Sequence, residues 1–319
     1  MKIAVLERNS VGTDIDVTCY EELGEVTYFR NTVAENTAEH VNDADIVIAN
    51  KAPLNENTLK DCPNVKLICE FATGFDNVDL TYCKSRGIKV ANVKDYSTPA
   101  VAQHTFALLF YLLEHMPAYD KYVKDGAYGA QDRFSNFDMP FTELEGKTWG
   151  IVGMGNIGKK VAKIATAFGC HVIFYSVTGN SSVTEYEKVS KDELLERSDF
   201  LSLHCPLSDI TKNLIDADAL KKMKKTAILI NVARGPVVDN DALYDALNNG
   251  EIAAAGLDVL REEPILDTNP LSKIKDSDKL IITPHLAWAS TEARERLVAE
   301  VYENIKAYVN GEERNIVNP

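Results

Sequence analysis

Near the middle of this 319-residue chain stands WGIVGMGNIG, residues 149–158. An apolar run leads directly into a GxGxxG pattern, and the pattern opens the helical stretch NIGKKVAKIATAFG. Strand, glycine turn and helix in that order begin a βαβ unit on a parallel sheet. The first glycine permits the tight turn, the second lets backbone approach a pyrophosphate, and the third lets the helix pack on the strand. The helix N-terminus adds N–H donors and the positive end of its dipole. Turn glycines alone could produce such a pattern, but between a strand and a helix it indicates a dinucleotide site. Gly153, Gly155, Asn156, Ile157 and Gly158 are its expected cofactor-binding residues.

A dinucleotide unit that begins mid-chain leaves a long segment ahead of it. There, KIAVL (2–6), EVTYF (25–29), DIVIAN (45–50), VKLICEF (65–71) and IKVANV (88–93) alternate with helical stretches. Runs this apolar suit strands covered on both faces of a parallel sheet. Beyond 148 the same alternation resumes in WGIVG (149–153), CHVIFY (170–175), FLSLHC (200–205), AILINV (227–232), AAAGLDV (253–259) and KLIITP (279–284). A final helix is expected over 290–309. The expected fold is α/β, with two doubly wound parallel-sheet domains. A Rossmann dinucleotide-binding domain, residues 99–289, is inserted in a discontinuous substrate-binding domain, residues 1–98 and 290–319.

Ser97-Thr98-Pro99 is a helix start, a hydroxyl cap followed by proline in the first turn. The helix it opens, AVAQHTFALLFYLLEHM, is apolar nearly all round and so is buried, and His104 is expected to belong to it. Residues 117–147 are polar and aromatic without clear periodicity, long for a plain loop, and read as a functional arm or an interface element.

Composition narrows the classes. The chain is 45% hydrophobic and carries a net charge of −14, which argues against a broad nucleic-acid or acidic-membrane surface. Its longest fully apolar run, FALLFYLL, is far short of a membrane span, and MKIAVLERNS reads as a first strand, not a signal peptide. Six cysteines without a CxxC pair read as reduced thiols of a cytoplasmic protein. No histidine pair has metal-ligand spacing, so no metal is expected.

Reactive residue types gather at the ends of the later runs. Arg234 follows AILINV, and its planar fork matches a carboxylate, although most arginines are simply solvated. Glu262 and Glu263 precede Pro264, and His285 follows KLIITP. A histidine beside a carboxylate can serve as a general acid near neutral pH, whereas a lone one is more often structural. His204, in LSLHCPL, reads as a cofactor neighbour or as a satisfied strand-end histidine. The fingerprint usually carries an acidic residue about twenty positions on, to bind the ribose hydroxyls. Here that place falls on Ser176, with no arginine following to pair with a 2′-phosphate.

The order GMGNIG, LHCPLSDIT, NVARGPVVD, GLDVLREEP and TPHLAWAS resembles the NAD-dependent D-2-hydroxyacid dehydrogenases over nearly the whole chain, with HLAWAS and YDKYVKDGAY closest to the glycerate dehydrogenase, or hydroxypyruvate reductase, branch. The resemblance implies catalytic roles for Arg234, Glu263 and His285. Arg234 would bind the substrate carboxylate, His285 would protonate the alkoxide, and Glu263 would hold His285. It further implies a second carboxylate clamp from the backbone of Ala72, Thr73 and Gly74, in the stretch ATGFDNVDL, with Trp288 as a wall of the pocket. Val232, Ala233, Pro206, Thr211 and Ser176 would contact the cofactor, and Asp258 its carboxamide.

What the resemblance implies about activity is reduction of a small 2-keto acid to the D-2-hydroxy acid. Hydroxypyruvate to D-glycerate is the first expectation, and larger keto acids such as phenylpyruvate or branched-chain acids are the alternative. A non-enzymatic dinucleotide-sensing corepressor of this fold is the remote one, and little chain lies outside the two domains to support it. NAD(H) is the favoured cofactor, and NADP(H) is admitted by Ser176. Substrate would be clamped between the domains, with closure excluding water. A homodimer through residues 98–145 is the expected assembly, with no nucleic-acid or membrane partner.

Overall fold

Each of the eleven apolar runs forms a strand in the computed structural model, which describes the chain from Met1 to Pro319. The chain divides into two units, Met1–Ser97 with Ala289–Pro319, and Thr98–Trp288.

The first unit holds β1 (Lys2–Val5), β2 (Glu25–Tyr28), β3 (Ile46–Ala49), β4 (Leu67–Glu70) and β5 (Lys89–Ala91). They lie in the order β2-β1-β3-β4-β5, parallel throughout. All four residues of β3 and of β4 are buried, as a sheet covered on both faces requires. The helix Thr291–Val309 packs on β4, burying Leu297, Val301 and Ile305. Its Arg294 donates to both carboxylate oxygens of Asp14 at 2.6 and 2.9 Å, tying the end of the chain to its beginning.

At the carboxyl edge of that sheet, Glu7 accepts the backbone N–H groups of Asn50, Lys51 and Ala52 at 2.7, 2.8 and 2.9 Å on one oxygen. Glu70, at the end of β4, is wholly buried, and its single neutral donor is the Asn77 amide at 3.2 Å. Burial, with Glu7 and Asp76 adding repulsion against the pull of Asn77 and Lys51, pushes the Glu70 carboxyl up to about 8.

The second unit holds β6 (Thr148–Val152), β7 (His171–Tyr175), β8 (Glu187–Lys188), β9 (Phe200–Leu203), β10 (Ile228–Asn231), β11 (Ala254–Leu257) and β12 (Leu280–Ile282). Their order is β12-β11-β10-β9-β6-β7-β8, again all parallel. One apolar cluster covers one face through Leu194, Leu220, Leu229 and Leu243, and a second covers the other through Phe106, Leu109, Trp149 and Phe174. The helix Thr98–Leu113 supplies much of the second cluster and packs on β10 and β11. The strand order reverses its progression between β6 and β9, the place where open α/β sheets bind ligands.

Two features depart from the sequence reading. β8 is a two-residue edge strand, fully exposed, with no apolar alternation to announce it. Residues 116–130 are not irregular: helices span Met116–Lys124 and Ala127–Ala130. Neither buries a residue, so no apolar stripe marks them. Pro117 in the first turn and a Lys124–Asp120 pair one turn apart (2.6 Å) support the first of them instead. No helix is long and apolar enough to cross a membrane, and all six cysteines are free thiols.

The folded state holds a proton on Glu70 that the unfolded chain releases near its ordinary value of 4.5, so stability falls as pH rises from about 4.5 to about 8. Glu70→Gln keeps the site neutral. Against the native chain, urea unfolding should show little difference at pH 5 and a gain on the order of 3 kcal/mol at pH 9. Equal differences at both pH values would refute the assignment.

Candidate active site

Because every strand of the second unit runs the same way, the loops that follow β6, β7, β9, β10, β11 and β12 leave the sheet along one edge. After β6 comes the glycine turn. Gly153 has φ +90°, and a Cβ there would meet the His204 carbonyl at 2.9 Å, so both backbone conformation and space demand glycine. A Cβ on Gly158 would lie 2.2 Å from the Gly153 carbonyl oxygen, so the helix Asn156–Ala167 sits directly on the turn. Gly155 is different. A Cβ there would meet nothing within 4 Å, and the helix N-terminus behind it has no side-chain cap. The chain itself gives no reason for glycine at 155; a group approaching the bare N-terminus from outside does. Asn156 and Ile157 form that first turn.

After β7, the Tyr175 carbonyl accepts the Gly153 N–H at 3.1 Å, which sets Ser176 beside the glycine turn. Ser176 then opens a tight turn closed by the Gly179 N–H at 3.0 Å, with the Lys188 ammonium on the Gly179 carbonyl at 2.6 Å. After β9, His204 is half-buried, and its Nε2 pairs with the Ser202 hydroxyl at 2.9 Å, which also accepts from the Trp149 indole at 2.9 Å. Burial takes the His204 imidazole down to about 3, so the ring is neutral. Thr211, almost wholly buried, donates to the Pro206 carbonyl at 2.8 Å and accepts the Ser208 N–H at 2.7 Å. Its hydroxyl shapes the 206–211 loop from inside and is not offered at the surface.

After β10, Asn231 clamps the next turn with both ends of its amide. Its oxygen accepts the Ala233 N–H at 3.0 Å, and its nitrogen donates to the Arg234 carbonyl at 3.0 Å. Val232 and Ala233 are buried, and the Arg234 guanidinium donates one N–H back to the Ala233 carbonyl at 2.9 Å. A Cβ on Gly235 would lie 1.9 Å from the Leu260 backbone, so the turn carrying Arg234 rests directly on the loop after β11. In the sequence the only signal for Asn231 and Gly235 is a polar residue closing an apolar strand and a glycine just beyond it.

The loops after β11 and β12 meet. Glu263 accepts the Leu260 N–H at 2.8 Å on one oxygen, and its other oxygen lies 2.6 Å from His285 Nδ1. Glu262 instead pairs with Arg261 at 2.9 Å, which separates the two candidates by geometry. His285 has φ +54°, a left-handed conformation that costs a residue other than glycine and so requires support. Asp258 supplies it. The Asp258 carbonyl accepts the His285 N–H at 2.9 Å, and its carboxylate accepts the Thr283 hydroxyl at 2.6 Å, the Leu286 N–H at 2.9 Å and the Ala287 N–H at 2.8 Å. Trp288, half-buried, packs against the apolar cluster on that face of the sheet. With Nδ1 directed at Glu263, Nε2 of His285 is the ring nitrogen left to exchange a proton elsewhere.

In the first unit, the loop after β4 carries Ala72, Thr73 and Gly74. It is held by the Thr73 hydroxyl on the Val93 carbonyl at 2.7 Å, by the Val93 N–H on the Ala72 carbonyl at 2.9 Å, and by the Asn92 amide on the Thr73 carbonyl at 2.7 Å. No cluster of histidine, cysteine or carboxylate side chains could hold a metal ion.

The sequence profile of the D-isomer specific 2-hydroxyacid dehydrogenase NAD-binding domain matches residues 106–287. The chain belongs to this family. It is similar to a hydroxypyruvate reductase of Blautia hydrogenotrophica, 38% identical over 325 aligned positions covering 100% of both chains. A glycerate dehydrogenase of Methylorubrum extorquens is 39% identical over 99% of this chain and 98% of its own. Among solved structures, a D-lactate dehydrogenase of Aquifex aeolicus complexed with NAD and lactic acid superposes with a TM-score of 0.85 at 30% identity, covering 100% of this chain and 99% of that one. As a member of this family it is an oxidoreductase that works with a nicotinamide dinucleotide on 2-hydroxy acids. The open face of Gly155 and the uncapped helix N-terminus fit the dinucleotide's pyrophosphate.

The glycine geometry separates two kinds of defect. Gly155→Ala should leave the melting temperature unchanged and weaken NADH binding at least about tenfold by fluorescence titration, since only an approaching ligand meets the new methyl. Gly158→Ala should cost on the order of 2 kcal/mol of stability by forcing the helix off the turn. A stability loss at 155 equal to that at 158 would contradict this division.

Proposed function

We propose that this enzyme reduces hydroxypyruvate to D-glycerate, with Arg234, His285 and Glu263 as its catalytic residues. The observation that carries the reading is the 2.6 Å contact of Glu263 with His285 Nδ1, on loops that share a sheet edge with Arg234 and the dinucleotide turn. The names of the hydroxypyruvate reductase and glycerate dehydrogenase relatives support the substrate.

When bound, the reduced nicotinamide supplies a hydride to the keto carbon. Arg234 holds the substrate carboxylate with its fork of donors and polarises the keto oxygen. As that oxygen gains electrons, His285 delivers the proton from Nε2 and remains protonated on Nδ1 against Glu263. One keto acid, one hydride and one proton give one hydroxy acid. Glu263 fixes the ring's orientation and tautomer throughout. Ala72, Thr73 and Gly74 are proposed as substrate-binding residues through their backbone N–H groups. Val232, Ala233 and the 206–211 loop are proposed to line the cofactor, and Trp288 the substrate. Asp258 is proposed to bind the carboxamide.

The cofactor proposal is NAD(H) preferred with NADP(H) accepted. A hydroxyl at 176 does not repel a 2′-phosphate, while the neighbouring turn of Val177, Thr178 and Gly179 brings no arginine to attract one. The assembly proposal is a homodimer. Residues 116–141 expose Met116, Val123, Tyr128, Phe134, Phe137 and Phe141, with Phe134 90% exposed, an apolar display unusual for a free surface. Light scattering should return twice the monomer mass.

His285→Ala should lower kcat at least about a thousandfold while NADH binding persists, because the general acid is gone and the dinucleotide site is not. Arg234→Lys should lower kcat/KM about a hundredfold, since an ammonium lacks the planar fork. Initial rates with hydroxypyruvate, glyoxylate, pyruvate and phenylpyruvate, each with NADH and NADPH, test the substrate and cofactor together. Dominance of phenylpyruvate would overturn the substrate. Ser176→Asp should raise the NADPH KM at least about tenfold and leave that for NADH within about threefold.

A further inference from the structure

One titratable group of the second unit has no part in the chemistry above, although it reaches the residue that supports His285. His104 projects from the helix Thr98–Leu113, its side chain 16% exposed, with Nε2 2.9 Å from the Thr283 hydroxyl and 3.6 Å from Asp258 Oδ1. The Thr283 hydroxyl in turn lies 2.6 Å from Asp258 Oδ1.

Proton counting gives this chain a direction. A threonine hydroxyl has one hydrogen. The Asp258 carboxylate is ringed by donors, the Thr283 hydroxyl and the Leu286 and Ala287 N–H groups, and it can only accept. The Thr283 hydrogen therefore points to Asp258, and Thr283 must accept from His104. The ring carries its proton on Nε2. Burial lowers the pKa of His104, and the Asp258 charge opposes that only in part, so the neutral Nε2–H tautomer prevails at neutral pH.

The end of the chain is the loop that presents the general acid. Asp258 accepts the N–H groups of His285, Leu286 and Ala287 in succession, the first on its carbonyl and the others on its carboxylate. If Asp258 rotates, two of those bonds break at the residues after a left-handed His285, whose φ of +54° is retained by surrounding contacts and not by preference. Thr283 and His104 oppose that rotation from the side of the buried helix.

We infer that His104 is a positioning residue of the reaction: through Nε2–H to Thr283 and Thr283 to Asp258 it fixes the carboxylate that holds the His285 loop. The inference rests on the role proposed for His285, and it gives a reason for an imidazole at this point of a largely apolar helix.

Two measurements test it. The first does not depend on turnover. Long-range ¹H–¹⁵N correlation spectra of the labelled full chain at pH 7.5 should show His104 neutral and protonated on Nε2, and Thr283→Val should shift its Nε2 resonance. An Nδ1-protonated His104, or an Nε2 indifferent to Thr283→Val, overturns the proposal even if the enzyme is fully active. The second is kinetic, with NADH and the best keto acid of the panel. His104→Phe preserves an aromatic volume without the donor and should lower kcat between about tenfold and a hundredfold, as small misplacements of a catalytic group do, with KM and the NADH Kd within about threefold. His104→Gln places an amide N–H near the position of Nε2 and should recover kcat to within about threefold of the native enzyme. A purely packing role predicts the reverse. His104→Phe would then keep its kcat, or both variants would lose kcat, KM and melting temperature together, and either result refutes the inference. Should His104→Phe fail to fold, the glutamine variant and the spectra decide. A native enzyme inactive on every keto acid would sink the proposed function, not the tautomer and its coupling to Thr283.

Discussion

The parallel alignment of seven strands is the constraint on which the functional half of this molecule depends. Parallel strands need crossover helices, so one edge of the sheet receives every strand's outgoing loop and the other edge receives none. The glycine turn, Ser176, His204, the Arg234 turn, Asp258 with Glu263, and His285 each stand just past a strand's end. They are gathered from residues more than 130 positions apart in the sequence by a backbone rule that takes no account of their chemistry.

A shared edge brings residues near one another but does not aim them. Aim comes from backbone close approach and from buried acceptors. Gly235 lets the Arg234 turn rest against Leu260, and Asn231 closes that turn with two hydrogen bonds. Asp258 holds three successive N–H groups around His285, whose left-handed φ would otherwise relax. These contacts are made by groups that touch no reacting atom, and their cost is a core that must accommodate a buried carboxylate and its donors.

The first unit solves a related problem with the opposite sign. The carboxyl ends of β1 and β3 converge on a group of free N–H donors, and the chain fills it with its own Glu7 carboxylate. Glu70 lies close enough to that charge, and deep enough in the unit, to remain protonated where carboxyls normally ionise. Its strand leads directly into Ala72–Gly74, so a group held neutral by burial sits at the base of that loop.

The sequence alone determined the strands, the dinucleotide turn and the residue types at the strand ends, because short apolar runs and glycine spacing are local signals that survive without coordinates. It missed β8 and the helices over 116–130, where no buried face imposes a period. Tertiary structure decided which of two adjacent glutamates reaches His285, that Thr211 turns its hydroxyl inward, and that His104 joins Thr283 and Asp258. Glu262 and Glu263 have the same composition and nearly the same neighbours, so only the path of the loop distinguishes them. Hydrogen bonds are short and directional, and the partners here are separated by as many as 179 residues along the chain. No pattern in a one-dimensional sequence encodes a distance of that kind until the fold brings its ends together.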